Sequence, residues 1–266
     1  MKKVYRMMHD GEPRHVIEQD GRWQLLEGDL FDGYEAGAEI RRGGAPLLTP
    51  VMPSKLVCIG LNYKDHAAEQ NKPLPTEPLM FIKPSTAVIG PGESIVVPAG
   101  IGRVDHEAEL GVVIGRRARH VSEADARHYI FGFVCVNDVS ARGLQQRGFQ
   151  YTHAKGFDTF APIGPCVATG IDYHADEGVG VEGWVNGERR QHSTTAQLVF
   201  SIDFLIAYIT RVMTLLPGDI IATGTPSGVG PITPGDRVTI TVAGVGELTN
   251  PVAAEAAAIT SGGGRS

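Results

Sequence analysis

The chain has 266 residues, with 24 Lys and Arg against 30 Asp and Glu, a formal net charge of −6. That balance disfavours a general nucleic-acid binder, which carries a basic surface, and a hydrophobic content of 42% excludes bulk disorder. No stretch reaches the ~20 apolar residues of a membrane span, the start MKKVYRMMHDGEPRH lacks a secretory apolar run, and Cys58, Cys135 and Cys166 form no CxxC pair, so the expectation is a cytoplasmic protein with reduced thiols.

In chain order, residues 1–52 alternate strand-like pieces with turns and read as a small N-terminal β-rich module ending near Thr49-Pro50-Val51-Met52-Pro53. Residues 53–258 form the main domain. KLVCIG (Lys55 to Gly60) is a continuous apolar run bounded by Gly, as in a buried strand. Asn62 can cap a short helix over Tyr63 to Gln70, and KPLPTEP is loop. LMFIKP, AVIG, ELGVVIG and IFGFVCVND read as strands, with VSEADARHY between the last two as a helix carrying a near capping box at Ser122 and Asp125. Trp184 to Arg189 centres on Asn186-Gly187, a type I′ hairpin signal. Leu198 to Leu215 is the longest helical pattern, by its 3.6-residue apolar period. DIIATG and RVTITVAGVGEL close the domain, and SGGGRS lies in a flexible tail over 259–266. Helices do not alternate regularly with strands, so the fold class is α+β and β-rich, not a doubly wound sheet or TIM barrel.

The chemistry centres on His106-Glu107-Ala108-Glu109-Leu110-Gly111. On a strand, Glu107 and Glu109 project from one face, and adjacent carboxylates repel unless a cation or proton lies between them. Oxygen-only ligands suit Mg²⁺ or Mn²⁺ better than Zn²⁺. Asp138, a lone acid at the end of a second apolar strand, can supply a third ligand. Spacing alone leaves a second reading open, an exposed ExE face with Asp138 at a turn.

His66 and Glu69 stand at i and i+3 on the short helix, hence on one face. A carboxylate beside an imidazole raises its basicity, although a solvated surface pair would look the same. Lys155, in HAKGFD, can stabilise developing anionic charge or be an ordinary solvated lysine. Arg142 and Gln145 share a face after Asp138, and Arg suits a carboxylate. Asn62 is a further substrate-binding candidate. The loop Thr223 to Gly230 lacks Gly-Lys-Ser/Thr and a following helix pattern, so it is not a nucleotide loop; its amides and the Thr225 hydroxyl can receive a substrate carboxylate.

VCIGLNYKDHAAE, FIKPSTAVIGPG, DHEAELGVVIG, GFVCVNDVSAR, AKGFDTFAPIGP, VNGERRQ, LLPGDIIATGTPSGVG and PGDRVTI together resemble the fumarylacetoacetate hydrolase family, in that family's order, over roughly residues 55 to 250. The resemblance implies a rolled mixed β-sheet enclosing an active site, and a homodimer. It implies Mg²⁺ or Mn²⁺ on Glu107, Glu109 and Asp138, a water-activating dyad of His66 and Glu69 on a lid, and Lys155 in the site. The small-molecule partner is then a 2-oxo or dicarboxylic acid, with no nucleic-acid or membrane partner.

The expected activity is divalent-metal chemistry on 2-oxo or 2-hydroxy-dienoic acids through an enolate. Two outcomes lead: C–C hydrolysis of acylpyruvate- or fumarylpyruvate-type substrates, and isomerisation of 2-hydroxyhepta-2,4-diene-1,7-dioate in aromatic catabolism. Oxaloacetate-type decarboxylation is an alternative. A metal-dependent 2-oxo acid binder without turnover is the reading from a different class.

Overall fold

The computed structural model describes residues 1–146 and 150–256, so the SGGGRS tail lies outside the described residues. The β-rich α+β class and the rolled mixed sheet are what the structure shows. A long curled sheet runs from the edge strand Gly33–Ile40 through Arg22–Asp29, Glu12–Gln19, Lys2–His9, Ala161–Thr169, Ile130–Asn137, Ala108–Ile114, Ile220–Ala222 and Lys55–Gly60 to Leu79–Pro84. Residues 2–40 thus continue the same sheet, through Val4 opposite Val167. Along this path the pairings are antiparallel except Ile220–Ala222 with Lys55–Gly60, which makes the sheet mixed.

The central strands are apolar without alternation because both faces are covered. Leu110, Val112, Phe133 and Cys135 pack on one side with Val181, Ile240, Val242 and Leu248 of a second, five-stranded sheet. Val113, Val134 and Val136 point the other way, into a core shared with Val4, Ile17, Leu56 and Ile163. The one-residue alternation of strand side chains assigns neighbours to opposite cores. Asn186 and Gly187, both at positive φ, close the hairpin between Gly180–Val185 and Glu188–Thr194, as the Asn-Gly pair requires.

Three helical expectations are adjusted. The long helix is Ile202–Val212 only, because the Ser201 hydroxyl accepts from Phe204 N–H and caps it, and Met213 is already extended at φ −138. The segment after Ser122 is a 3₁₀ helix, Glu123–Tyr129, capped as expected by Ser122 accepting from Asp125 N–H. The short helix is α1 (Lys64–Glu69), and Asn62 does not cap it: Tyr63 holds the cap position without a side-chain bond. Among the described residues no helix is long and apolar enough to cross a membrane.

Candidate metal centre

Two neighbouring strands leave the large sheet together, and the acids sit where they do. Ala108 pairs with Asn137 in the large sheet, while Asp105 pairs with Ser140 in a separate three-stranded sheet. Glu107 and Asp138 occupy the break between the two ladders, outside any strand. The reading of Glu107 and Glu109 on one continuous strand is therefore corrected: Glu107 is the corner residue and Glu109 lies inside Ala108–Ile114. The corner is pinned by Asp138 N–H donating to Glu107 O at 2.9 Å and Glu107 N–H donating to Asn137 Oδ1 at 3.0 Å. Turning the backbone here aims both acids at Glu109.

One carboxylate oxygen each from Glu107, Glu109 and Asp138 lies within 4.8 Å of the other two, with all three residues buried. Lys155 Nζ donates to Glu107 Oε2 at 2.7 Å and Asp138 Oδ2 at 2.5 Å, and Arg142 pairs with Glu107 and, at 2.7 Å, with Asp105. Although burial pushes the Glu107 carboxyl up, Lys155 and Arg142 hold it well below the usual carboxylate range. Glu109 differs: among the described residues it has no ion pair, only the Gly224 N–H at 2.9 Å. Burial, then the charges of Asp138 and Glu107, hold its carboxyl well above the ordinary value. A buried acid that opposes its neighbours' charge is one that a cation placed among them would stabilise. The all-oxygen donor set fits Mg²⁺ or Mn²⁺ on these three residues.

Glu107 and Glu109 of this cluster form part of the wall of a cavity of about 620 Å³. His66, Glu69, Arg142, Gln145, Lys155 and Thr225 line it too. The His66 and Glu69 side chains meet, Nδ1 to Oε2 at 3.0 Å, as their spacing predicts. Glu69 Oε1 also accepts from Gly228 N–H at 3.0 Å. Gly228 has φ +90, and a Cβ there would collide with the Arg190 carbonyl, so only glycine brings that amide to the helix. Gln145 accepts from Arg142 Nη1 at 2.7 Å. The Thr225 hydroxyl donates to Ala108 O at 2.9 Å and accepts from Gln191. The loop amides of Gly224 and Gly228 are taken by the chain's own carboxylates, Glu109 and Glu69.

Asn62 is the sequence candidate placed elsewhere. Its amide donates to Thr223 O at 2.8 Å and Phe200 O at 3.2 Å and accepts from Phe200 N–H at 2.9 Å, so it clamps loops behind the cavity. Sequence reasoning missed Lys83, which is fully buried and donates to Asp138 Oδ1 at 2.6 Å, Val139 O at 3.1 Å and Phe160 O at 2.5 Å. Its signal was a lone lysine inside the apolar strand LMFIKP. Also missed were Asp105, which holds Arg103 and Arg142, and Gln191, which ties His106, Ala108 and Thr225 together.

Residues 55–253 match the model of the fumarylacetoacetate (FAA) hydrolase C-terminal family. The crystal structure of 2-hydroxyhepta-2,4-diene-1,7-dioate isomerase from Mycobacterium marinum superimposes with a TM-score of 0.87 at 37% identity, covering 96% of this chain and 99% of that one. Maleylpyruvate hydrolase from Sphingobium sp. SYK-6, in complex with manganese(II) and pyruvate, gives 0.79 at 30% identity, covering 96% and 100%. The mitochondrial oxaloacetate tautomerase of Xenopus laevis is 40% identical over 223 residues, 80% of this chain and 70% of that protein.

Proposed function

The chain belongs to the fumarylacetoacetate hydrolase family, and from that premise we propose that it is a divalent-cation-dependent enzyme that enolises 2-oxo carboxylic acids. Hydrolysis of acylpyruvate-type C–C bonds and isomerisation of 2-hydroxy-dienedioates are its two outcomes. The observation that carries this reading is the convergence of Glu107, Glu109 and Asp138, two of which (Glu107 and Glu109) line the same cavity as a His66–Glu69 pair.

Glu107, Glu109 and Asp138 would hold Mg²⁺ or Mn²⁺, which when bound supplies Lewis-acid polarisation of the 2-oxo carboxylate. Lys155 acts as a fixed positive charge and not as a base: burial opposes its charge, but Asp138 and Glu107 together raise its pKa above the usual lysine value. An ammonium held this way stabilises negative charge developing on the substrate oxygen. Arg142, braced by Asp105, Glu107 and Gln145, forms a rigid cationic wall that attracts a carboxylate. His66, with Nδ1 on Glu69, is left with Nε2 to take a proton from water or from the carbon next to the keto group. A keto–enol exchange of oxaloacetate-type acids is a second reading, favoured by the Xenopus laevis relative.

The test is a panel of acetylpyruvate, fumarylpyruvate, 2-hydroxyhepta-2,4-diene-1,7-dioate and oxaloacetate, assayed after EDTA treatment and after return of Mg²⁺ or Mn²⁺. Ion-dependent turnover of at least one is expected. No turnover of any, with either ion, refutes an enzymatic role.

A further inference from the structure

His66 is bracketed by two side chains of its own helix end. Glu69, at i+3, holds Nδ1 at 3.0 Å, and Gln70, at i+4, places its amide nitrogen 2.7 Å from Nε2. Both partners follow from helical spacing, which stacks i, i+3 and i+4 on one face. An amide nitrogen only donates. The contact therefore makes Nε2 the acceptor and Nδ1 the protonated nitrogen, which donates to Glu69. One tautomer satisfies both contacts at once.

That tautomer is the one a general base needs, because the lone pair on Nε2 is the only one His66 has left. In the structure Gln70 covers it. Gln70 is the C-cap residue of α1, is exposed, and lines the cavity, so its side chain can swing away at the cost of one partly solvated hydrogen bond. Across the cavity from His66 stand the carboxyls of Glu107, which feels the imidazole, Glu109 and Asp105, and the cations Arg103, Arg142, Lys155 and Lys72; its own helix carries Lys64, Asp65 and Glu69.

We propose that Gln70 is a positioning residue that locks His66 in its base-competent tautomer and screens Nε2 from water, tilting the site away from C–C hydrolysis and toward water-free proton transfer at the substrate's C3. This rests on reading His66 and Glu69 as the proton-transfer pair. A water molecule must displace the Gln70 amide to be activated. A substrate C–H can reach Nε2 only as the amide yields to the substrate itself, and the substrate then excludes the water.

The experiment compares the wild type with Gln70→Leu, Gln70→Glu and His66→Ala in the Mn²⁺-loaded enzyme. One acylpyruvate is followed for both cleavage and deuterium uptake at C3. Gln70→Leu raises the ratio of cleavage to exchange by about two- to tenfold, the worth of one hydrogen bond. Gln70→Glu lowers cleavage and moves the acid limb of its pH–rate profile upward, because a carboxylate at Nε2 favours the imidazolium. A ratio unchanged or lowered in Gln70→Leu overturns the proposal, as does an undetectable cleavage rate that stays undetectable in that variant. Equal losses in both Gln70 variants with an unmoved pH profile mean that Gln70 is merely structural and overturn it too. Full cleavage and exchange in His66→Ala instead overturn the proton-transfer pair itself, whatever the Gln70 variants do.

Discussion

Lys83 Nζ donates to Asp138 Oδ1 at 2.6 Å, and neither side chain is more than 1% exposed. The same ammonium donates to two backbone carbonyls, those of Val139 and Phe160. It therefore holds the corner at which the Ile130–Asn137 strand ends and Asp138 turns toward Glu109.

Lys83→Met leaves Asp138 one cation short and takes the Lys83 donor from the Val139 carbonyl, while Phe160 O keeps the Val139 N–H. Breaking one side of a buried ion pair costs about 3–5 kcal/mol. The urea midpoint should fall accordingly, and Lys83→Arg should not restore it, since the side chain is fully buried and a planar guanidinium does not replace a compact ammonium on the same acceptors. An unchanged midpoint for Lys83→Met would remove Lys83 from the structural account of the site.

Glu109→Gln should have opposite effects with and without a cation. Burial and the charges of Asp138 and Glu107 raise the Glu109 carboxyl in the folded state. A group raised in this way contributes stability below its unfolded-state pKa and loses that contribution as pH rises through the folded-state value. The neutral amide avoids the penalty, so the ligand-free variant should be more stable at neutral pH by about 1–3 kcal/mol. The same change should abolish the rise in melting temperature that Mn²⁺ gives the wild type. Thermal unfolding with EDTA and with Mn²⁺ checks both halves; a full Mn²⁺ response in the variant would refute Glu109 as a ligand.

The position of α1 depends on a latch at each end. Asp65 Oδ2 accepts from Ser193 Oγ at 2.6 Å, and Glu69 accepts from Gly228 N–H. Ser193→Ala removes one hydrogen bond from a helix of six residues, too short to persist without tertiary contacts. Faster amide exchange in residues 64–69 and a KM raised about two- to tenfold are expected, with global stability within about 0.5 kcal/mol of the wild type. Unaltered exchange in α1 would show that the latch is redundant.

Cys58, Cys135 and Cys166 are all buried, and burial pushes all three thiols up, that of Cys166 to about 11. Reaction requires the thiolate and access to it. The native protein should be inert to a disulfide reagent at pH 8, and all three thiols should react in urea. Rapid native labelling of any one would contradict the packing of the core between the sheets.

Much of the site was legible in the chain because its decisive spacings are local. The i, i+3 relation of His66 to Glu69 and of Arg142 to Gln145 carries through directly to contacts of 3.0 and 2.7 Å. The period of the long helix identified Ile202, Leu205, Ile206 and Ile209 as buried, though Val212 at its end is 58% exposed. Non-local partners were not legible. Lys83 meets Asp138 across 55 positions and Gln191 meets His106 across 85, and no local period encodes such a pairing.

By itself, the sequence determined the strand-rich class, the hairpin at Asn186-Gly187 and which three acids cluster, because composition, turn chemistry and strand-end position are properties of short segments. Only the tertiary structure decided that Glu107 and Asp138 lie at the corner where two strands change sheets, that Asn62 clamps loops instead of meeting the cavity, and that Glu109 is the acid without a cation. The physical reason is that a carboxylate's energy depends on what is packed around it: burial and neighbouring charges, brought together from distant parts of the chain, turn an ordinary ExE pair into a buried cluster in which Glu107 is held low and Glu109 high.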